Sequence, residues 1–259
     1  MDAGWQQKVY TAHLRFCRVG ELCEVNCRGG RVVYCGGMSN NTHNQEIEIK
    51  LRVPDVTALR RRLICLRARK ISRRTYETNT LYDTPKMYLR RRGRLIRIRI
   101  ERPSSSVGKK RTSEMGEAVL TYKGPSHLPR SAVKNQGHSK DRGRFKIKDE
   151  TETRVSQAEQ MARILRALGL HPVFRYEKFR TTYVLPGVRG LNVELDETPI
   201  GIYLELEGPP AGIDRAASLL GYSRKDYLKE TYGSLYLAEC RRRGLRPGDM
   251  LFSPIKKLR

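Results

Sequence analysis

Glu46-Ile47-Glu48-Ile49-Lys50-Leu51-Arg52-Val53 alternates charged and apolar side chains without a break. Successive side chains of a strand point to opposite faces, so this segment is a strand with one charged face and one apolar face. Glu46, Glu48 and Lys50 share the charged face. The same period returns along the chain. Residues 75 to 84 read as a strand ending in a turn at Asp83-Thr84-Pro85, and Gly93 precedes an alternating strand from Leu95 to Glu101. Val119 to Lys123 is a short strand, and Arg144 to Val155 alternates again. Val173 to Thr182, Leu191 to Glu197 and Gly201 to Glu207 follow, and Gly208-Pro209-Pro210 ends the run.

Helical spacing interrupts the strands in four places. Pro54-Asp55 opens a helix with Val56, Leu59, Leu63 and Leu66 on one side. Ser156-x-x-Glu159 is a capping-box pattern for a helix to Leu168, stopped by Gly169 and Pro172. Two more helices, Gly212 to Leu220 and Arg224 to Arg242, close the folded part. Residues 103 to 117 and 124 to 143 read as loops. About eight strands, mostly adjacent in sequence, predict an antiparallel sheet. That number in one chain of this size predicts a closed eight-stranded barrel with helices packed outside, a β-dominated α+β fold.

The charged faces carry the chemistry. Arg97 and Arg99 share a face, as do Lys178 and Arg180, Glu194 and Asp196, and Glu205 and Glu207. Lys148, Glu150, Glu152 and Arg154 share another, and Lys123 lies on a strand of its own. A wet sheet face alternates in this way too. Such a face mixes signs and includes Thr, Gln and Ser, whereas several of these faces are pure like-charge pairs. Like charges side by side repel, so each pair calls for opposite charge between its members. Turned inward in a barrel, carboxylates suit Mg²⁺ or Mn²⁺ and arginine forks suit phosphate oxygens. A metal-bound polyphosphate needs both.

Glu46-Ile-Glu48-Ile-Lys50 resembles the Glu-x-Glu-x-Lys signature of the CYTH superfamily, the triphosphate tunnel metalloenzymes. Tyr82-Asp83-Thr84 with Arg97-Ile98-Arg99, Leu120-Thr121-Tyr122-Lys123-Gly124, Lys178-Phe179-Arg180, Leu195-Asp196-Glu197 and Tyr203-Leu204-Glu205-Leu206-Glu207 resemble its further elements, in order, from about Glu46 to about Leu237. The resemblance implies that Glu46 and Glu48 bind metal with Asp196, Glu205 and Glu207. It implies that Lys50, Arg97, Arg99, Lys123, Lys178 and Arg180 hold the phosphate chain, with Glu46, Glu48 and Lys50 as the catalytic signature. Glu150 and Glu152 match the family's middle acidic strand, and Arg144 and Lys148 are further, looser matches. The implied substrate is a triphosphate: ATP, thiamine triphosphate or tripolyphosphate. The segment Leu195-Asp196 to Glu207, with Tyr203, most resembles class IV adenylate cyclase-like members, so conversion of ATP to cyclic AMP and pyrophosphate ranks first. Hydrolysis of thiamine triphosphate or tripolyphosphate ranks second.

The remaining features bound this reading. Lys plus Arg is 52 against 27 Asp plus Glu, a net charge of +25 in 259 residues, which calls for something anionic, with nucleic acid, a membrane surface and a polyphosphate substrate as the candidates. Nucleic acid is a competing partner, but a phosphate-backbone binder gains nothing from inward Glu46, Glu48, Glu205 and Glu207. A tunnel that binds polyphosphate without turnover is a third reading. Arg60-Arg61-Arg62, Arg90-Arg91-Arg92 and Arg241-Arg242-Arg243 exceed what a tunnel holds; Arg60 to Arg62 and Arg241 to Arg243, on helices, read as solvated faces. No P-loop sequence is present. No apolar run approaches membrane-spanning length, so no membrane partner is expected and a cytoplasmic location is the default; a homodimer is left open. Cys17, Cys23, Cys27 and Cys35 lack zinc-type spacing and, with Cys65 and Cys240, read as free thiols. His127, His138 and His171 lie in loops or near a helix end and are not assigned a catalytic role. Residues 1 to 44 do not share the pattern, and Met38 is a candidate true start, with the earlier residues a mis-called extension. A peptide covering Trp5 to Arg31 in the native protein would sink that idea. Residues 45 to 240 form the tunnel domain, and residues 241 to 259 read as a loose basic tail.

Overall fold

Alternation gives each strand one face that must leave water, and a closed sheet lets the other face line a shared interior. The computed structural model describes residues 25–27, 30–32, 45–104, 117–126 and 144–252 and divides the chain into units 1–42 and 43–259. In the first unit, β1 (Val25–Cys27) pairs antiparallel with β2 (Gly30–Val32). The expectations for Met38, Cys17, Cys23, Cys35, His127 and His138 lie outside the described residues.

The second unit is the barrel. Its strands are β3 (Gln45–Arg52), β5 (Thr75–Asp83), β6 (Leu95–Pro103), β7 (Glu117–Ser126), β8 (Lys146–Val155), β9 (His171–Val184), β10 (Asn192–Thr198) and β11 (Gly201–Glu207). Neighbours run β10-β11-β3-β8-β7-β6-β5-β9, and β9 pairs with β10 to close the ring; every pairing is antiparallel. A two-residue strand, β4 (Arg69–Lys70), adds to β9 outside the ring. The helices are α1 (Val56–Cys65), α2 (Tyr88–Arg91), α3 (Ala158–Ala167), α4 (Pro210–Leu219) and α5 (Tyr232–Arg243). The predicted closed eight-stranded barrel is therefore the observed one.

The core lies outside the ring. Ile49, Leu51, Ile147, Val193, Leu195, Leu204 and Leu206 point outward and meet Leu59 and Leu63 of α1 and Ile213, Ala216 and Ala217 of α4, all buried. Ile98 and partly buried Ile96, Ile100 and Leu120 meet Leu165 of α3. With those faces covered, the opposite parity is left to line the interior. Asp55 caps α1 by accepting hydrogen bonds from the Thr57 and Ala58 amides at 2.8 and 2.9 Å.

Several elements differ from their sequence reading. The helix expected from Arg224 to Arg242 is broken. A 3-10 turn at Arg224–Asp226, closed by a Ser223–Asp226 capping box, leads to Leu228, which exchanges both backbone hydrogen bonds with Lys50 at 2.8 Å. That pairing holds the segment extended, and α5 restarts after Thr231, whose hydroxyl accepts from the Ser234 amide at 3.2 Å. The capping box expected at Ser156 does not form, because α3 begins one residue late, with Gln157 at the cap and no side-chain bond there. Pro172 does not stop a chain segment but lies within β9, beside the register shift between Leu81 and Tyr82, where a missing amide hydrogen is tolerated. The basic tail is not loose as far as Phe252. Met250 is 1% exposed, its amide donates to Arg175 O at 2.9 Å, and the Phe252 amide donates to Glu177 Oε2 at 2.9 Å.

Candidate active site in the barrel interior

Each charged pair read from the sequence sits on the inner face of the ring, and neighbouring strands set the pairs against charges of opposite sign. On β3, Lys50 Nζ lies 3.1 Å from Glu48 Oε1 and 2.9 Å from Glu205 Oε1 of β11. Lys146 of β8 closes on the same Glu48 oxygen. Glu46 accepts from Lys123 Nζ of β7 with both oxygens at 2.6 Å, and Lys123 also lies 3.2 Å from Glu150 Oε1. Lys178 of β9 pairs with Asp196 of β10 at 2.9 Å, and Arg180 grips both Asp196 oxygens at 2.7 and 2.6 Å while touching Glu194 and Glu205. Arg97 Nη2 lies 3.3 Å from Glu152 Oε1, which also accepts from Thr121 Oγ1 at 2.6 Å. Arg99 Nη2 lies 3.8 Å from Glu152 Oε2. Glu207 stands opposite Glu48 in the β3–β11 register.

The interior thus gathers Glu46, Glu48, Lys50, Arg97, Arg99, Lys123, Glu150, Glu152, Lys178, Arg180, Asp196, Glu205 and Glu207. Arg144 is not among them: its guanidinium pairs with Asp214 of α4 at 2.9 Å and covers the Phe145 ring outside the barrel. His171 opens β9 on the exposed surface. The sequence reading missed Glu77 and Asn79 of β5, Lys146 of β8, and Tyr176 and Tyr232. Glu77 lies 3.5 Å from Lys178 and 3.7 Å from Arg180. The Tyr232 hydroxyl donates to Asp196 Oδ2 at 2.7 Å, and the Tyr176 hydroxyl accepts from Arg97 Nη1 at 3.4 Å. Glu77 and Asn79 carried a signal, the same two-residue spacing as the other inward pairs. Tyr232 carried none, because its place depends on where α5 docks.

Burial and crowding split the carboxylates into two groups. Burial alone would raise Glu48, but Lys50 and Lys146 outweigh it and hold the carboxyl well below the ordinary range. Glu77 is brought down to about 2 against its burial by Lys178 and Arg180. Lys50 is held above the usual lysine value against its burial by Glu205 and Glu48. In contrast, burial pushes Glu194 up to about 8, where repulsion from Glu205 and Asp196 adds to it and Arg180 only partly offsets it. Burial raises Glu150 to about 7, opposed by Lys123 and reinforced by Glu46. Burial, Glu46, Glu205 and Glu48 raise Glu207. Burial, with Lys146 and Lys123 nearby, lowers Lys148 to about 8.

The donor set fits a hard divalent cation. Glu46, Glu48, Glu205 and Glu207 stand on two paired strands, and the Glu207 carboxyl is raised by burial and then by Glu46, Glu205 and Glu48 around it. Among the described residues no three acidic side chains already converge as a finished cation site; lysines and arginines occupy Glu46, Glu48, Asp196 and Glu205 instead. The interior also offers unused polar edges: Asn79 Oδ1 and Arg97 Nε are buried with no hydrogen-bond partner among the described residues.

At the end where β5 finishes and β9 and β11 begin, the inward parity changes from charged to apolar. Tyr176 and Tyr203 there pack on Tyr232 of α5, with ring centroids 6.1 and 5.7 Å apart. Beside this plug opens a cavity of about 780 Å³, walled by Leu81, Phe174 and Tyr176 and rimmed by Arg90, Arg94 and Lys148.

A closed antiparallel barrel whose interior is lined by alternating arms of Arg or Lys and Asp or Glu defines a class of proteins built to hold anions and cations together. The model of the CYTH domain matches residues 44–232, and the chain belongs to that family, the triphosphate tunnel metalloenzymes, whose members process triphosphates and whose membership implies a divalent metal. No curated protein matches. Among solved structures, a protein of Vibrio parahaemolyticus described as a "putative adenylate cyclase" is 16% identical with a TM-score of 0.55, over 72% of this chain and 94% of that one. The PH1819 protein of Pyrococcus horikoshii is 19% identical with a TM-score of 0.53, over 75% and 99%. A Hippeastrum protein described as a "putative adenylyl cyclase" with a dominant triphosphatase activity is 18% identical with a TM-score of 0.48, over 78% and 97%. The Vibrio and Pyrococcus likenesses, at 16% and 19% identity, speak to the fold alone. No helix among the described residues is long and apolar enough to cross a membrane.

Proposed function

We propose that this chain is a divalent-metal-dependent enzyme that converts ATP to cyclic AMP and pyrophosphate. The observation that carries the triphosphate reading is the unspent cation edge inside the ring. Arg97 Nε is buried without a partner among the described residues; Arg99 shares its strand, Lys123 stands on the adjacent β7, and Lys178 on β9, one strand beyond β5. These groups, with Lys50 and Arg180, hold and orient the phosphate chain and take up charge as it develops. A divalent ion, Mg²⁺ or Mn²⁺, held by carboxylates among Glu46, Glu48, Asp196, Glu205 and Glu207, supplies further neutralisation of phosphate charge. In the reaction the ribose 3′-hydroxyl gives up its proton to solvent, its oxygen bonds to the α-phosphorus, the bond from that phosphorus to the bridging oxygen breaks, and pyrophosphate leaves. The cavity of about 780 Å³ at the barrel end supports an organic group on the triphosphate, since its volume and mixed lining are those of a small-molecule site.

Hydrolysis of a triphosphate is the second reading. Glu150, raised to about 7 beside Lys123, supports it by offering a carboxylate able to take a proton from water near neutrality. One assay separates the two. The protein is incubated with ATP, thiamine triphosphate or tripolyphosphate, each with Mg²⁺ or Mn²⁺, and the products are identified. Cyclic AMP with pyrophosphate supports the cyclase, and orthophosphate the hydrolase. No turnover of any of the three would sink both.

A further inference from the structure

The chain's positive charge is not spent on the tunnel, and one stretch of the exterior concentrates it. From Val56 to Tyr76 there is no Asp or Glu, while Arg60, Arg61, Arg62, Arg67, Arg69, Lys70, Arg73 and Arg74 all fall in those residues. The fold places them along the exposed side of α1, in the turn after it and on the edge strand β4, whose Arg69 and Lys70 face opposite ways. α1 turns Leu59 and Leu63 into the core and leaves its arginines exposed. The chain then reverses through Arg67, at a φ of 51°, and β4 lies back along β9 with Lys70 opposite Tyr183. The charge of Arg60 reaches both the Tyr183 hydroxyl and the Glu197 carboxylate. Arg74 binds the same Glu197 through two hydrogen bonds of 2.9 and 2.8 Å. That carboxylate is therefore already neutralised, and the Asp55 carboxylate is engaged in capping α1. Arg61, Arg67, Arg69, Lys70 and Arg73 form no ion pair among the described residues. The exposed arginines at the end of α5 differ in this respect, since Glu239 holds both Arg242 and Arg243.

We propose that the α1–β4 surface binds the phosphate backbone of nucleic acid, independently of sequence and of the tunnel. Arginine predominates over lysine, and its planar fork matches phosphate oxygens at two points. A lipid surface fits less well. A helix lying in a membrane interface needs an apolar face to insert, and the apolar face of α1 is buried in the core, leaving only the separate side chains of Ile64 and Ile71 exposed.

The test uses the full chain and a fluorescent 20-nucleotide RNA with a 5′-hydroxyl, which offers the tunnel no triphosphate. Binding is followed by anisotropy from low to high salt, for the wild type and for the triple variant Arg61→Glu, Arg69→Glu, Arg73→Glu. These positions leave the Arg62 bond to the Leu219 carbonyl and the Arg74–Glu197 pair intact. The expected result is binding weaker by about tenfold or more and a log–log salt slope shallower by about 2, the share of three phosphate contacts on a single strand. Turnover of the tunnel substrate is expected to stay at the wild-type level, which shows that the variant is folded. A charge-matched control, Arg241→Glu, Arg243→Glu, Arg246→Glu, is expected to bind within about twofold of the wild type. Equal losses in both variants would overturn the proposal, because net charge alone would then explain the binding. So would wild-type RNA binding by the first variant.

Discussion

Glu48 shows how much one inward carboxylate is asked to do. It is 5% exposed, bonds Lys50 at 3.1 Å, meets Lys146, and faces Glu207 across the ladder. Glu48→Ala is expected to lower turnover by about a hundredfold or more. It is also expected to cost about 3 kcal/mol of stability, since removing one partner leaves buried lysine charge short of its counterion. Lys50 keeps Glu205, so the fold persists, and urea denaturation beside a turnover assay reads both effects. Near-normal turnover would count against the metal assignment. Lys148 gives a prediction of a different kind. Its ammonium is lowered to about 8 by burial and by Lys146 and Lys123, so it is charged below that pH and neutral above it. Its help in attracting a polyanion is present at neutral pH and fades as pH rises through about 8. The wild-type kcat/KM, which reports the free enzyme, is expected to decline there. Lys148→Gln is expected to start lower and to lack that decline; an unchanged profile in the variant would remove Lys148 from substrate capture.

At the scale of elements, the exit from β11 is the tightest joint in the ring. Gly208 has a φ of +149°, its amide donates to Ile47 O at 3.0 Å, and a Cβ there would stand 2.4 Å from the Gly190 carbonyl oxygen. Backbone, not a flexible side chain, is what it would meet. Gly208→Ala is expected to destabilise by about 3 kcal/mol or more, seen as a lowered thermal midpoint. A midpoint within a degree of the wild type would show that the joint gives. Strands were the most legible elements because their period sits in the residues themselves: β3, β5, β6 and β11 fall within a residue or two of their sequence limits. The helix expected from Arg224 to Arg242 was misread because its conformation is decided from outside. Nothing in Tyr227-Leu228 disfavours a helix, and the segment is extended because Leu228 pairs with Lys50 of β3. The site divides the same way. Inward pairs were legible from spacing, including Glu77-x-Asn79, which went unread, while Tyr232 reaches Asp196 only because α5 docks on the barrel end.

The whole molecule separates its charge by location. Inside the ring, Lys50, Arg97, Arg99, Lys123, Lys146, Lys148, Lys178 and Arg180 face roughly as many carboxylates, so the interior by itself is near balance despite the net charge of +25. A triphosphate entering alone would bring several negative charges into a space where Glu194 and Glu207 are already raised by burial and, after it, by neighbouring carboxylates. A divalent cation entering alone would have to displace lysines and arginines from carboxylates they already bind. Each ligand therefore relieves the cost of the other, and the two are expected to bind with positive coupling. The readout is thermal stability of the full chain. At about 100 times its dissociation constant a ligand stabilises by about 2.7 kcal/mol, which for a domain of this size raises the midpoint by roughly 5–10 °C. Tripolyphosphate with Mg²⁺ is expected to give a shift of that order. Tripolyphosphate in a chelator, or Mg²⁺ alone, is expected to give well under half of it at the same concentrations. A full shift from tripolyphosphate in the chelator would mean that the interior's cations suffice by themselves, and the carboxylates would then have to be explained as partners of those cations rather than as ligands of a metal.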